Sequence, residues 1–295
     1  MRRLSAIFLA AVLFFTLTAC GDNTVNKITG TDYPVIVYGV ELDECPQKVI
    51  CLSPAVTDVI YALGSDAQLI GVSDNCDNKR GLEVYGSGAM PDTDKIAASD
   101  AQIVICDSGI SDDAKKQITD SGKQVITTPA VYTYSQLKAL YEAVAYIFSG
   151  YSTGKSNAEN TFNRIDKRVS AVKAKTEEGS KVSAIILLSD GIAAPKDSFA
   201  DQMLGFAGGK NVARNSYAID YADIIKANPE HIFCPADMVD GILSDEALSD
   251  VTAVKNKNVT ALSPLYFERY GENVALGLEI MASSLHPEAV KSPIE

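Results

Sequence analysis

The sequence has no tryptophan and only two histidines, His231 and His286, among its 295 residues. It contains no HExxH motif and no nucleophile elbow, so neither a zinc peptidase nor a serine hydrolase is indicated. His231 precedes a predicted strand and His286 follows the last predicted helix, so we assign both to structural positions. A receptor for a bare zinc or manganese ion would need imidazoles in its binding cleft. We therefore assign no metal site, no cofactor and no catalytic residue.

Runs of basic residues are also missing. The formal net charge is −12, with 38 acidic and 26 basic side chains, so phosphate backbones would be repelled. Nucleic acid is therefore disfavoured as a partner. Hydrophobic residues make up 46% of the chain and charged residues 22%, which is typical of a folded protein. The length allows two domains of ordinary size.

Cysteine is present, but not in a pattern that binds zinc or builds a disulfide framework. Five cysteines follow Cys20, an odd number, and no CxxC occurs. Cys51, Cys106 and Cys234 lie in apolar strand-like runs, where a thiol behaves as a small buried hydrophobic group. A Cys45–Cys51 disulfide stays open as an alternative.

The first twenty residues have the pattern of a targeting segment. Arg2 and Arg3 precede an apolar stretch, 4–15, which is too short to span a bilayer. Residues 17–20, LTAC, resemble the bacterial lipobox, in which the cysteine is lipidated and becomes the mature N-terminus. We predict a signal peptide over 1–20, lipidation of Cys20 and a flexible tether over 21–34. An ordinary secretory signal with an incidental cysteine is the alternative.

The stretch 155–178 contains no Gly or Pro and predicts one long helix. Its apolar residues recur at alternating steps of four and three: Ala158, Phe162, Ile165, Val169 and Val172. A helix of this length spans about 35 Å, the width of a small domain. A coiled coil is disfavoured because the stretch holds only two or three heptads. We interpret 155–178 as the connection between two lobes, 35–154 and 179–295.

The two predicted lobes repeat one pattern of strands and helices. KVICLS at 48–53 matches KVSAIILLS at 181–189, and KQVITT at 123–128 matches KNVTAL at 257–262. Strands that alternate with helices at this spacing predict parallel sheets flanked by helices. The fold class is therefore α/β, with two lobes joined by one long backbone helix and a ligand cleft between them. Open α/β sheets bind ligands at the carboxyl ends of their strands.

Two glycine-containing segments resemble nucleotide-binding motifs without matching them. GYSTGKS at 150–156 has one residue too few for a phosphate loop and joins two predicted helices, so we interpret it as a helix–helix connection. GSGAM at 86–90 lacks the third glycine of a dinucleotide-binding motif and is predicted to be a cleft loop.

The predicted cleft loops carry small residues, several aromatics and two arginines. Backbone amides, tyrosines and an arginine suit a bulky, partly apolar ligand with a few polar or anionic edges. For each aromatic residue, a position in the core is the alternative. The candidate ligand-binding residues are Pro54, Ala55, Asp74, Asn75, Gly88, Ser189, Arg214, Tyr217, Tyr266, Phe267 and Arg269.

Several segments resemble the helical-backbone substrate-binding proteins of ABC importers. KVICLSPAVTDVIYAL at 48–63 is similar to their first strand and helix, and LIGVSDNCD at 69–77 to their second strand and its loop. LYFERYGENVALGLEIMASSLHPE at 265–288 is similar to their C-terminal loop and helix. The resemblance implies a lipid-anchored, extracytoplasmic receptor that catalyses no reaction and delivers a corrinoid or a ferric siderophore to a permease. It also implies a monomer with little motion between lobes.

The same resemblance suggests where the permease docks. In that family one glutamate on each lobe contacts permease arginines; Asp94 takes the first position here. Ala222 takes the second and departs from the pattern, so we assign docking to Asp94 and to the neighbouring Asp223. Phe267-Glu268-Arg269 is similar to the vitamin B12-binding member, whereas the tryptophans that frame its corrinoid are absent, with Gly88 and Tyr266 in two such places.

Three alternatives stay open from the sequence. A haem receptor of the same fold would need Tyr217, Tyr266 or a methionine as iron ligand. A cell-surface enzyme would use cleft carboxylates, although no nucleophile–base pair is recognisable. An adaptor lipoprotein would keep the fold and bind no ligand.

Overall fold

The computed structural model describes residues 26–27, 32–188, 192–213 and 221–293, in which strands and helices alternate. The strands are β1 (Asn26–Lys27), β2 (Val35–Val37), β3 (Val40–Leu42), β4 (Val49–Cys51), β5 (Leu69–Val72), β6 (Glu83–Val84), β7 (Ile103–Asp107), β8 (Gln124–Thr128), β9 (Val182–Ile186), β10 (Gly209–Asn211), β11 (His231–Cys234) and β12 (Val259–Ala261). The helices are α1 (Pro54–Ala62), α2 (Thr93–Ala98), α3 (Asp112–Asp120), α4 (Tyr134–Thr176), α5 (Phe199–Phe206), α6 (Tyr221–Ala227), α7 (Val239–Ser244), α8 (Thr252–Lys255), α9 (Leu265–Glu268) and α10 (Asn273–Leu285). In this part of the chain, no helix combines the length and the apolar character needed to cross a bilayer.

Two parallel sheets form the centres of two lobes, as predicted. The N-terminal sheet has the order β6-β5-β4-β7-β8, and the C-terminal sheet has the order β10-β9-β11-β12. We call the first sheet with α1–α3 the N-terminal lobe, and the second with α5–α10 the C-terminal lobe. The long helix α4 lies between them in the chain. This arrangement confirms the predicted fold class.

Each sheet buries both faces, because successive residues of a strand point to opposite sides. On the inner faces, Val49 and Ile103 of the N-terminal sheet and Ile186 and Phe233 of the C-terminal sheet belong to one hydrophobic cluster with Phe162 of α4. We call this the joint cluster. The outer faces form two separate clusters, one in each lobe. The core is therefore continuous across both lobes through α4.

The long helix starts earlier than predicted and has one break. Thr133, not Ser135, is its N-cap, in a capping box with Gln136. The predicted connection over 150–156 is reduced to Gly150, whose φ of 67° and ψ of −170° are not helical. The helix resumes at once and ends at Thr176 instead of 178. The structure therefore has a long helix where the sequence predicted one, and this helix extends further toward the N-terminus than predicted.

The residues before the N-terminal lobe are partly fixed to α4. Asp32 covers the helix break, because its carbonyl oxygen accepts from Tyr151 N at 2.7 Å and its carboxylate from Ser152 N and Thr153 N at 3.1 and 3.2 Å. β1 pairs antiparallel with β2, which pairs with β3. The last part of the predicted tether, from Asp32 onward, is therefore bound to the body of the protein.

The described cysteines carry no disulfide: Cys45 and Cys51 are both free thiols, so the alternative disulfide is absent. Cys51, Cys106 and Cys234 are fully buried, as the strand pattern predicted. Burial raises the pKa of the Cys51 thiol to about 12 and that of Cys234 to about 11, which keeps both protonated. They act as core residues.

Candidate functional site

A cavity of about 270 Å³ lies where the carboxyl ends of β4, β7 and β8 face α9 of the C-terminal lobe. The N-terminal lobe contributes the segments 53–56, 107–108 and 128–130, and α4 contributes Leu140. Glu268 and Tyr270 close the cavity from the C-terminal lobe. It is thus at the end of the strands where parallel sheets bind ligands. We call it the cleft cavity.

The first strand and helix of the N-terminal lobe shape one wall of the cleft cavity. Ser53 follows β4 and is the N-cap of α1. Its hydroxyl accepts a hydrogen bond from Val56 N at 3.3 Å. Pro54 occupies the first helical turn, where its missing N–H leaves no bond unmade. Pro54 and Ala55 are half-buried and both line the cavity. The structure therefore brings these two predicted residues to the site.

Asp107 is the last residue of the interior strand β7 and lies on the cavity wall. One carboxylate oxygen accepts from Gly109 N at 2.9 Å, which fixes the turn after the strand. Gly88 lies beside it: a Cβ at this position would stand 2.9 Å from Leu52 O and 3.7 Å from the other Asp107 oxygen. The predicted cleft loop over 86–90 therefore approaches the strand ends closely, and Gly88 permits that approach.

Tyr270 anchors the opposing wall. Its backbone oxygen accepts from the Tyr141 hydroxyl of α4 at 2.7 Å, and its ring meets Phe199 edge-on at 5.9 Å between centroids. Burial raises the pKa of the Tyr270 phenol. Three candidate ligand residues, Tyr266, Phe267 and Arg269, come from the same segment, whereas Glu268, Tyr270 and Asp107 were not among the candidates.

Arg269, predicted as a ligand-binding cation, joins the two lobes. Its guanidinium donates to the backbone oxygen of Asn75 at 2.5 Å and lies 3.5 Å from the carboxylate of Asp58 on α1. Burial raises the pKa of Asp58, and the positive charge of Arg269 opposes that rise. The Arg269 side chain is only 18% exposed. Its charge is therefore paired with Asp58, and its role as a ligand-binding cation stays a prediction.

The two aromatic candidates on α9 differ in position. Phe267 is 5% exposed and belongs to the joint cluster. Its ring packs on α10 at Gly277, where a Cβ would stand 2.9 Å from the ring tip. Tyr266 is half-buried against the same cluster. Phe267 packs in the core, the alternative left open for every loop aromatic, and its assignment to the ligand stays a prediction.

Asp74 and Asn75 are exposed on the loop that follows β5. The Ser73 hydroxyl donates to the Asn75 side-chain oxygen at 2.8 Å, and Asp74 N donates to Gly86 O at 3.0 Å. Neither residue lines the cleft cavity as described. Four predicted functional residues lie outside the described residues: Cys20, Ser189, Arg214 and Tyr217.

Three large apolar side chains are exposed on segments that follow strands of the two sheets. Met90, between β6 and α2, is 80% exposed, and Tyr132, between β8 and α4, is 56% exposed. Leu265, the first residue of α9 after β12, is 49% exposed. Exposed apolar side chains at the carboxyl ends of strands are typical of a ligand-binding surface.

Two further cavities flank the cleft cavity. One of about 660 Å³ runs along α5 and β10 to Tyr132 and includes Lys181, Lys196 and Lys210. The other, of about 430 Å³, lies between α1, α4 and the start of α10 and contains the Arg164–Glu272 ion pair, in which two guanidinium nitrogens donate to one carboxylate oxygen. The linings of both cavities combine exposed and half-buried residues.

The histidines lie away from the cleft cavity, as predicted. His231 is 4% exposed on β11, where its Nε2 is 2.8 Å from the Thr260 hydroxyl, and burial lowers its pKa to about 4. His286 follows α10 and packs against Gly208. Within the described ranges, no group of three or more metal-ligating side chains comes together.

Asp94 and Asp223 occupy equivalent places in the two lobes. Asp94 lies in the first turn of α2 and Asp223 in the first turn of α6, and both are exposed. Each helix precedes an interior strand of its sheet, β7 or β11. The structure thus presents one acidic residue on each lobe, and their role in docking remains a prediction.

The sequence profile of the periplasmic binding protein family matches residues 49–265. The chain belongs to this family. An uncharacterised ABC transporter substrate-binding lipoprotein, YvrC of Bacillus subtilis (strain 168), is 26% identical over 97% of this chain and 97% of its own.

Solved structures with the same fold come from the same group of binding proteins. The periplasmic haem-binding protein HutB of Vibrio cholerae has a TM-score of 0.72 at 20% identity, over 82% of this chain and 99% of its own. The periplasmic vitamin B12-binding protein BtuF of Vibrio cholerae has a TM-score of 0.69 at 17% identity, over 82% and 97%. The resemblance to helical-backbone binding proteins found in the sequence is therefore confirmed, and at these identities the structural likeness concerns the fold.

Proposed function

We propose that this protein is the solute-binding component of an ABC importer and captures a metal chelate, a corrinoid or a ferric siderophore, between its lobes. The observation that carries the proposal is the cleft cavity. Residues of both lobes form its wall, and exposed apolar side chains stand on segments that follow strands of each sheet, Met90 after β6 and Leu265 at the start of α9 after β12. A bulky ligand with an apolar surface would cover these side chains. Family membership supports a binding role.

The proposed mechanism is capture followed by delivery, with no chemical reaction. The joint cluster runs through both lobes, so the lobes move little, and the loaded protein binds the permease in preference to the empty form. Lipidation of Cys20 would hold this monomeric receptor on the extracytoplasmic face of the membrane, which agrees with the lipoprotein YvrC. Asp94 and Asp223 would contact basic residues of the permease.

A haem receptor is the second candidate. HutB, which shares the fold, is a haem-binding protein. The thioether of Met90 is 80% exposed at the cleft edge, and a thioether is a suitable axial ligand for haem iron. Haem binding through Met90 would give a Soret spectrum that changes in Met90→Leu.

The experiment that tests the proposal is a titration of the soluble chain 21–295. Cobalamin, a ferric trihydroxamate and haem are added in turn, and the tyrosine fluorescence and the visible spectrum are followed; the chain has 13 tyrosines and no tryptophan. We expect saturable one-to-one binding of at least one chelate and protection of Tyr270 and Ala55 amides from hydrogen exchange. Absence of saturation for the whole panel would refute the proposal.

The docking role has its own test. Asp94→Lys is expected to leave chelate affinity unchanged, because α2 is outside the cleft cavity, and to reduce uptake by cells carrying the importer. Asp120→Lys, at the exposed end of α3, is the matched control. Equal uptake by both variants would remove Asp94 from the docking surface.

A further inference from the structure

Arg269 makes a contact between the lobes that bears on ligand binding, and its interpretation rests on the proposed function. We propose that Arg269 is a positioning residue. Through Asp58 and the carbonyl group of Asn75, it fixes segment 268–270 at the spacing from the N-terminal lobe at which both walls of the cleft cavity contact one ligand. In this role the guanidinium raises the affinity for a chelate without touching the chelate.

Arg269 lies between two residues of the cavity wall. Glu268 and Tyr270 both line the cleft cavity from the C-terminal lobe. The guanidinium between them is directed to the N-terminal lobe, where Nη2 donates to Asn75 O at 2.5 Å and Nη1 is 3.5 Å from Asp58 Oδ1. One side chain therefore joins the wall contributed by the C-terminal lobe to two elements of the other lobe.

Both partners of Arg269 are connected to the opposite wall of the cavity. Asp58 lies on α1 one turn after Pro54, so the two residues share a face of the helix, and Pro54 lines the cavity. Asn75 lies on the loop after β5, which is attached to α1 because the Cys76 thiol donates to the Thr57 hydroxyl at 3.3 Å. The guanidinium thus contacts two parts of one connected unit that carries the N-terminal wall.

Segment 268–270 and the residue after it are also in close contact with α1 and α4. The backbone oxygen of Tyr270 accepts from the Tyr141 hydroxyl at 2.7 Å, and a Cβ on Gly271 would stand 3.4 Å from the Asp58 Cβ. Gly271 lines the neighbouring cavity of about 430 Å³, together with Asp58. The chain therefore passes directly from one cavity wall to the next, and a shift of this segment would change the width of the cleft cavity.

The Arg269–Asp58 pair is well placed to resist such a shift. The two side chains are 18% and 19% exposed, so water screens their attraction less than that of a surface pair. The Lys48–Asp100 pair of the N-terminal lobe, by comparison, is 48% and 78% exposed. A wall that is already ordered before binding loses less conformational entropy when the ligand arrives. Removal of either Arg269 or Asp58 should therefore reduce the affinity for a chelate.

A direct contact between the Arg269 guanidinium and the chelate makes a different prediction. Asp58→Asn would then leave the affinity unchanged, or increase it by freeing the guanidinium for the ligand. In a positioning role, Asp58→Asn and Arg269→Met both weaken binding, because each breaks the same contact, and the double variant binds no more weakly than Arg269→Met. A double-mutant cycle therefore separates the two roles.

The test measures binding of cobalamin, ferric desferrioxamine B and haem to the soluble chain 21–295. For a probe that binds, we expect the Kd to rise about tenfold in Arg269→Met, by a smaller factor in Asp58→Asn, and no further in the double variant. Arg269→Lys keeps the charge with fewer donors and should recover part of the loss. Asp100→Asn, which breaks the exposed pair with Lys48, should leave the Kd unchanged. Additive losses, or an unchanged Kd in Asp58→Asn, would overturn the positioning role.

Hydrogen exchange of the ligand-free chain gives a second measurement that needs no chelate. The amides of Glu268 and Arg269 donate to Pro264 O and Leu265 O at 3.0 and 3.1 Å, so they report on the order of this segment. We expect both amides to exchange faster in Asp58→Asn and Arg269→Met, and at the original rate in Asp100→Asn. Unchanged exchange in the first two variants would overturn the positioning role even where a chelate binds. Failure of every probe to bind would refute the proposed function, and the exchange rates would still decide whether Arg269 positions the segment.

Discussion

β7 and β11 are interior strands at corresponding places in the two sheets, and one difference between them changes their chemistry. Ile103, Ile105 and their neighbours on β7 correspond to His231, Phe233 and their neighbours on β11. Ile103 packs in the joint cluster, whereas His231 stacks on Phe233 at 4.4 Å between ring centroids and is 4% exposed. The same strand position is therefore apolar in the N-terminal lobe and titratable in the C-terminal lobe.

The comparison shows that the packing of the sheet faces and the dependence of stability on pH are determined by different residues. Alternation along each strand gives both lobes the same inner and outer faces, and the inner faces share one core through α4. Sensitivity to acid, in contrast, follows from one buried imidazole in one lobe. Four substitutions test this account, in order of their expected effect.

Phe162→Ala should have the largest effect. The ring lies in the joint cluster on α4, 5.1 Å from Tyr134 and 5.4 Å from Tyr141 between centroids. We expect a loss of about 3–5 kcal/mol in the free energy of unfolding, with the transition still single, because both lobes depend on the same core. Urea unfolding followed by circular dichroism measures it. Two separated transitions would show that the lobes are independent.

The second effect depends on pH. In the folded protein burial lowers the pKa of His231 to about 4, whereas an unfolded histidine has a pKa of about 6.5. Between these two pKa values only the unfolded state gains a proton. The contribution of His231 to the free energy of unfolding is therefore complete above pH 6.5, and about 3 kcal/mol is lost as the pH decreases to 4.

His231→Ile, which copies Ile103 of the other lobe, is the variant that separates this contribution from other titrating groups. Between pH 6.5 and 4, His231 should account for a loss of about 3 kcal/mol in the free energy of unfolding. We expect most of this loss to be absent in the variant. An unchanged pH dependence would show that His231 is not the group responsible.

The smallest effects concern two glycines. Gly150→Ala should cost about 2–3 kcal/mol, because φ is 67° and the new Cβ would stand 2.2 Å from Asp32 O. Gly122→Ala, also at positive φ but with open space around it, should cost about 1 kcal/mol. Thermal unfolding of both variants gives the comparison. Equal losses would mean that contact with Asp32 adds nothing.

Much of the fold follows from the sequence, since buried strands and amphipathic helices have local patterns. Residues 49–52 and 103–106 are continuous apolar runs, and Ser53 and Ser111 cap the helices that follow. The N-terminal antiparallel sheet was missed because its three strands are only two or three residues long. The start of α4 was missed because Thr133 and Ser135 are equally good caps by type, and only the Gln136 contact separates them.

For the site, the sequence predicted which segments face the cleft better than it predicted the position of each side chain. Strand ends identify which segments face the cleft, and Pro54, Ala55 and Gly88 were found in this way. Nothing local distinguishes Arg269, whose partner Asp58 is more than two hundred residues away, from an arginine that contacts ligand. Nor does the sequence separate Phe267 in the core from an aromatic in the cleft, because both follow the same strand.

The most direct measurement is a crystal structure of the chain with a chelate that binds. The account predicts ligand density in contact with Ala55 and Asp107 of one lobe and with Glu268 and Tyr270 of the other, with the lobes nearly unmoved. Density confined to the groove along α5, touching only one lobe, would contradict it.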